Sequence, residues 1–171
     1  MSKRLVILGA GESGIGTALL AKQKGYEVFV SDGSAIKANF QKELEDNGIA
    51  FESGKHSVDQ ILNADEVMKS PGIPEKNEMV KAIRAKGIPV ISEIEFGYRY
   101  KGFSKIAAIT GSNGKSTATS LLYHICQLVN DDVAMVGNIG FSFARQIAVA
   151  PKSLYIIEVS SFQLDDIIHF K

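Results

Sequence analysis

Short apolar runs alternate with helix-patterned segments along the whole chain, and this alternation leaves few folds open. The runs Leu5–Leu8, Val28–Val30, Ile49–Phe51, Glu66–Met68, Pro89–Ile91, Ile106–Ile109, Val133–Val136 and Leu154–Val159 are rich in Val and Ile, and Gly, Asp, Asn or Ser bounds most of them. Such runs read as strands. Between them, Thr17–Lys24, Ile36–Asn47 and Met79–Lys86 carry helical patterns that stop at Gly25, Gly48 and Gly87, residues suited to a helix C-cap. Ser116–Leu128 predicts a longer helix behind a Gly-rich loop, and 141–148 a shorter one. Strand–helix alternation builds β-α-β units, hence parallel sheets with helices on their faces. The predicted fold class is α/β.

The pattern divides into two units. Residues 1–93 read as a Rossmann-like parallel-sheet domain, and 94–171 as the start of a second α/β domain, with the boundary inside 93–104. The segment Glu93–Gly102 reads as a polar, aromatic link. From 105 to 171 the sequence predicts three strands and one long helix, a small sheet with raw edges. The expectation is therefore a complete first domain followed by part of a second. No short-period repeat or low-complexity segment is visible.

A length of 171 residues allows one ordinary domain, or one plus a fragment. Lys plus Arg number 19 and Asp plus Glu number 19, so the net charge is zero. That balance argues against a DNA-coating or polybasic membrane-binding protein. It leaves room for a local anion pocket built from backbone N–H groups and one lysine. Cys126 is the single cysteine, so no intrachain disulfide or Cys-based zinc site is possible, which fits a reducing compartment. The run Leu5–Leu8 is too short for a signal-peptide core, and no stretch reaches the roughly 18 apolar residues of a membrane span. A soluble cytoplasmic protein without nucleic-acid or membrane partners is expected.

Two motifs carry chemistry. Gly9-Ala10-Gly11-Glu12-Ser13-Gly14 fits G-x-G-x-x-G between a strand and a helix. Glycines there permit a tight turn and let a phosphate approach the backbone at a helix N-terminus. Asp32 closes the next strand, where an acid can bind a ribose hydroxyl. The pattern indicates a nucleotide or nucleotide-sugar without saying which, so an NAD(P)-dependent oxidoreductase and a stand-alone UDP-sugar-binding module both stay open. Thr110-Gly111-Ser112-Asn113-Gly114-Lys115-Ser116-Thr117 follows the strand Ile106–Ile109. Gly-Lys-Ser entering a helix is the core of a phosphate-binding loop: N–H groups surround the β/γ-phosphates, Lys115 bridges to them, and Ser116 can ligate Mg2+. The spacing departs from G-x-x-x-x-G-K-[ST], because Ile109 stands where the first Gly falls.

Three further segments follow strands: Gly137-Asn138-Ile139-Gly140, Glu158-Val159-Ser160-Ser161-Phe162-Gln163-Leu164 and Ser70-Pro71-Gly72-Ile73-Pro74. Residues at strand C-termini line the crevice of a parallel sheet, and Glu158 there can hold Mg2+. Ser70–Pro74 reads first as a fixed turn. His56, His124 and His169 read as structural or exposed, Cys126 as a small buried hydrophobe, and Lys37–Glu45 as the solvated face of a helix.

Together these motifs, in this order and at these intervals, resemble the Mur ligases, the ATP-dependent amide-bond-forming enzymes of peptidoglycan precursor synthesis. The S-P-G-I and S-S-F-Q-L segments favour the branch that joins D-glutamate to UDP-N-acetylmuramoyl-L-alanine. The resemblance implies a first domain that binds UDP rather than NAD. Gly11, Glu12, Ser13 and Gly14 would lie against the diphosphate, and Asp32, Gly33 and Gly72 would approach the uridine. Gly33 and Ser34 stand where many relatives carry a bulkier or basic residue. In the phosphate-loop ATPase-type domain, Gly111, Ser112, Asn113, Gly114, Lys115, Ser116 and Thr117 would hold ATP. Lys115 would neutralise the transferring γ-phosphoryl, Ser116 and Glu158 would ligate Mg2+, and Asn138 and Ser160 would meet the substrate. The catalytic set implied is Lys115, Glu158 and Asn138. The implied reaction forms an acyl phosphate from the substrate carboxylate and ATP, which the amine of D-glutamate then attacks. The resemblance further implies a monomer and a longer, three-domain protein, so this chain, without the rest of the central domain and the D-glutamate-binding domain, is expected to be inactive alone.

Overall fold

The computed structural model describes residues 2–171 and contains all eight strand segments. The first unit runs β1 (Arg4–Leu8), α1 (Glu12–Gln23), β2 (Glu27–Asp32), α2 (Ala38–Asp46), β3 (Ala50–Ser53), α3 (Val58–Leu62), β4 (Glu66–Lys69), α4 (Glu78–Ala85) and β5 (Val90–Ile91). Its strands form a parallel sheet in the order β3-β2-β1-β4-β5. The chain continues through α5 (Glu93–Tyr100), β6 (Lys105–Ile109), α6 (Lys115–Gln127), β7 (Val133–Gly137), α7 (Phe143–Val149), β8 (Leu154–Glu158) and α8 (Ser161–Leu164). These later strands form a second parallel sheet in the order β6-β8-β7.

Two expectations are corrected. Helix α1 begins at Glu12 rather than Thr17, because the glycine motif itself supplies the first turn. The segment Glu93–Gly102 is not a polar link, since most of it is α5. Ser92 caps that helix, accepting from the Glu95 N–H at 3.2 Å. Ile94 and Phe96 are fully buried, and Phe96 packs edge-on against Tyr26 with ring centroids 5.7 Å apart. The acids that made the segment look solvent-facing are buried and partnered: Glu93 accepts from the Ala144 N–H, and Glu95 from Ile168, His169 and Phe170. Short helices α3 and α8 were likewise not expected.

The core is shared between the units. One apolar cluster runs from Leu5, Ile7 and Leu20 of the first unit through Ile94 and Phe96 to Phe143, Tyr155 and Phe170 of the second. A smaller one, with Val6, Leu8, Ile61, Val80 and Ile83, fills the other face of the first sheet. Helix α7 lies on α1, and Gly16 makes the approach possible: a Cβ there would fall 2.0 Å from Ser142 Oγ and 2.9 Å from the Arg145 backbone nitrogen. Arg145 then reaches across to Glu12 at 2.7 Å and makes a second ion pair with Glu43. On the far side β6 is an open edge, and α6 exposes Leu121 and Ile125, with Leu128 exposed at its C-cap.

Candidate functional site

The strand order of the first sheet reverses between β1 and β4, so the loops after these two strands open a crevice. The loop after β1 carries the glycine motif. Gly14 must be glycine, because a Cβ would fall 1.9 Å from the Gly9 carbonyl oxygen. Gly11 starts α1 with no side chain capping the helix, leaving N–H donors for an anion. Asp32 is engaged by the loop itself: Oδ2 accepts from the Ala10 N–H at 2.7 Å and Oδ1 from the Ser34 N–H at 2.8 Å. The loop after β4 is sewn to the same place, since Ser70 N–H donates to Leu8 O at 3.0 Å and its hydroxyl to Gly9 O at 3.3 Å. Ser70–Pro74 is thus more than a fixed turn, because it forms a wall of the crevice.

A cleft of about 280 Å3 opens here, lined by Gly9, Asp32, Gly33, Ser34, His56 and Gly72 among others. Asp32, Gly33 and Gly72, which the family resemblance sets together, line this one cleft. Glu12 does not join them. Its carboxylate accepts from the Ser142 N–H at 3.0 Å and from Arg145, so the side chain is turned to α7. Ser13 contributes its carbonyl to the Thr17 hydroxyl at 2.8 Å.

In the second sheet the three strands end level, with Glu158 of β8 in register with Ile109 of β6 on one side and Gly137 of β7 on the other. The phosphate-loop motif leaves β6 and enters α6. Gly114, the N-cap, has φ +74°, and no side chain caps the helix. Gly111, Ser112, Asn113, Gly114, Ser116 and Thr117 are exposed, and the Lys115 ammonium folds back onto Gly111 O at 2.8 Å. On the other side, Gly137 has φ +105° and lies so close to β8 that a Cβ would fall 2.3 Å from Glu158 O. The turn it makes delivers Asn138, whose N–H donates to Glu158 O at 2.8 Å and whose Nδ2 donates to Glu158 Oε1 at 2.8 Å.

Glu158 is 1% exposed, and its Oε2 is buried with no hydrogen-bond partner. An orphaned carboxylate oxygen beside a phosphate-loop motif suits a divalent cation. No cluster of three or more His, Cys, Asp or Glu gathers among the described residues. Ser116 and Glu158 would thus be joined by phosphate oxygens and water, as Mg2+ prefers.

A larger cleft of about 760 Å3 separates the units. Lys69, Gly72 and Glu75 line it from the first, and Asn138, Ser160 and Phe162 from the second. Gly72 faces both clefts, so they adjoin. Ser160 begins α8, where its N–H donates to the Gln163 side chain at 2.9 Å and holds Phe162 outward.

Two residues of these clefts were missed in the sequence. Lys69 is 3% exposed and paired with Glu75 and Asp166, each at 3.1 Å. His56 is not merely structural or exposed: its Nδ1 lies 2.7 Å from Ser31 Oγ, and it lines the smaller cleft. Ser31 in turn donates to Glu52 at 2.7 Å. Burial pushes the Glu52 carboxyl up, but hydrogen bonds from the Ser57 N–H and hydroxyl and from Ser31, with Lys55 nearby, hold it below the usual carboxylate value. The strand register was the signal, since β2 and β3 set Ser31 opposite Glu52 and so bring the loop after β3 to the crevice.

Comparison with known proteins agrees with this geometry. The chain is 56% identical over 172 residues to a UDP-N-acetylmuramoylalanine--D-glutamate ligase of Cytophaga hutchinsonii, covering 100% of this chain and 38% of that protein. The protein of the same name in Bacteroides fragilis is 53% identical over 169 residues, covering 99% of this chain and 38% of that protein. The chain thus spans 38% of the length of these curated relatives. The crystal structure of UDP-N-acetylmuramate:L-alanyl-gamma-D-glutamyl-meso-diaminopimelate ligase from Neisseria meningitides shares the fold, with a TM-score of 0.62 at 21% identity over 100% of this chain and 56% of that one. The family model described as Mur ligase MurD-like, N-terminal domain, matches residues 3–92, and the chain belongs to that family.

Proposed function

We propose that the chain forms the UDP-substrate-binding and ATP-binding part of a ligase that joins D-glutamate to UDP-N-acetylmuramoyl-L-alanine in peptidoglycan synthesis. One observation carries the reading: Glu158 ends the central strand between the phosphate-loop motif and Asn138, which faces the cleft between the units. A nucleotide triphosphate on one side of this carboxylate and a substrate carboxylate on the other are brought into reach of each other. When bound, ATP supplies the phosphoryl group that activates the carboxylate, and Mg2+ neutralises its oxygens.

The chain's own work is positioning and charge neutralisation. Gly111–Thr117 would offer N–H groups to the phosphates, and Lys115, now on the Gly111 carbonyl, would neutralise the γ-phosphate. Ser116 and Glu158 would hold the cation. Asn138 orients Glu158 through Nδ2 and stands beside the substrate. Gly11, Ser13 and Gly14 receive the diphosphate at the start of α1, while Asp32, Gly33 and Gly72 enclose the uridine. Ser160 and Gly72 line the path to the larger cleft. The reaction belongs in the cytoplasm, where UDP-linked precursors are soluble, and needs no second copy of the chain.

The oxidoreductase reading leaves the phosphate-loop motif Gly111–Thr117 without a role, since a dehydrogenase has no use for one. Lys115→Ala in the full-length protein tests the ligase. Turnover is expected to fall at least a hundredfold, as for loss of one transition-state charge partner, with affinity for the UDP-substrate unchanged. Unchanged turnover would deny Lys115 its role, UDP-sugar binding with no turnover in either protein would leave a binding module, and saturable NAD binding without UDP binding would sink the assignment.

A further inference from the structure

The neighbours of His56 fix which of its ring nitrogens bears the hydrogen. Ser31 Oγ lies 2.7 Å from Glu52 Oε1 and 2.7 Å from His56 Nδ1. The Glu52 carboxylate also receives the Ser57 N–H at 2.8 Å and the Ser57 hydroxyl at 2.6 Å. Three donors converging on one carboxyl select its ionised form, which only accepts. A hydroxyl has one hydrogen, and here it goes to Glu52. Towards the ring, Ser31 can only accept, so Nδ1 carries the hydrogen and the neutral ring keeps a lone pair on Nε2.

That lone pair has no hydrogen-bond partner among the described residues. Nε2 lies over Gly33, where a Cβ would come within 2.9 Å of it, so glycine at this position is what lets the ring occupy the cleft wall. Asn77 lines the same cleft, with Oδ1 committed to the Met79 N–H at 2.9 Å, so its amide N–H groups are the donor end. Asp32 also lines the cleft, but each of its oxygens already accepts a loop N–H, so among the described residues Nε2 is the acceptor without a partner and Asn77 supplies a donor.

We propose that His56 Nε2 accepts the imide N–H of a uracil base and makes this cleft select uridine over cytidine nucleotides. The inference rests on reading the first unit as the UDP-substrate domain. Uracil sets an N–H donor between two carbonyl acceptors. Cytosine sets a ring-nitrogen lone pair where that N–H stands, so lone pair would face lone pair across the same gap. A site built to receive an N–H discriminates well against an analogue without one, because the buried acceptor is then left unmatched.

The test is calorimetric titration of the full-length protein with UDP, CDP and N3-methyl-UDP, repeated on His56→Phe, which keeps a flat ring and removes the acceptor. The unaltered protein is expected to bind UDP at least about tenfold more tightly than either analogue. His56→Phe should weaken UDP about tenfold and leave CDP nearly unmoved, so that the preference disappears. An unchanged preference in His56→Phe overturns the proposal while UDP binding itself stands. An equal loss for UDP and CDP also overturns it, since Nε2 would then be reading the sugar. The N3-methyl arm needs no variant, and equal binding of UDP and N3-methyl-UDP is a third refutation. If UDP does not bind at all, the UDP reading fails and this inference with it. Ring-nitrogen NMR gives an independent check: hydrogen on Nδ1 and none on Nε2 is expected, and the opposite tautomer would overturn the assignment.

Discussion

Glu93 and Glu95 begin the same helix, both are buried, and they ionise far apart. Burial pushes the Glu93 carboxyl up to about 7, and Glu12 nearby adds to the rise against the N–H groups of Ala144 and Phe143. Burial also pushes Glu95 up, but the N–H groups of Ile168, His169 and Phe170 and the His169 ring outweigh it and hold it at about 2. The consequences for stability have opposite sign. Glu93 keeps a proton that the unfolded chain has lost, so its contribution is full below pH 4.5 and declines as pH rises to about 7. Glu95 stabilises above pH 4.5 and loses that support as pH falls towards 2. Glu93→Gln retains the acceptor for Ala144 and abolishes the titration. Its melting temperature should match the unaltered chain near pH 5 and exceed it by several degrees at pH 8, for a gain on the order of 3 kcal/mol. Equal shifts at both pH values would contradict this account. The candidate site was legible at this scale only where motif residues carry it: Lys115 and Glu158 could be picked from the phosphate-loop motif and the strand ends, while Asn138 and Gly72 came only with the family resemblance. His56 could not, because its partner Ser31 lies 25 residues away and is held by Glu52 only through the pairing of β2 with β3.

Among the elements, the contact between α1 and α7 decides how the units are joined. Gly16→Ala would improve intrinsic helix propensity by about 1 kcal/mol. It would also place a methyl group 2.0 Å from Ser142 Oγ and 2.9 Å from backbone of Arg145. Ser142 can rotate and the backbone cannot, so overpacking of about 1–3 kcal/mol wins and α7 is pushed off α1. Urea denaturation should show a net loss of up to about 2 kcal/mol, whereas a gain would mean that the helices part without cost. Strands were legible because Val and Ile runs bounded by turn residues have few other readings, and all eight formed. Helix α5 was hidden by its own acids. Local sequence favours a solvent-exposed reading for Glu93 and Glu95, and only tertiary partners from α7 and from residues 168–170 justify their burial. The start of α1 was hidden because glycines, poor helix formers, occupy its first turns for the sake of close packing against Gly9.

For the molecule as a whole, the sequence suggests two domains and the sheets bear separate strand orders, yet one apolar cluster passes from Leu5 to Phe170 through both. Arg145 adds ion pairs across the same seam. Neither unit keeps its core if the other opens, so unfolding is expected to be one cooperative event. Far-ultraviolet circular dichroism and tyrosine fluorescence should report coincident transitions, with a single calorimetric peak; two resolved peaks would show that the units are independent. The same interlocking reaches the crevice. With Asp32 fastened to Ala10 and Ser34, and Ser70 to Gly9, the walls of the smaller cleft take their shape as the chain folds. Their conformational freedom is surrendered then, so an arriving ligand meets a rigid mould and spends little of its affinity on ordering loops.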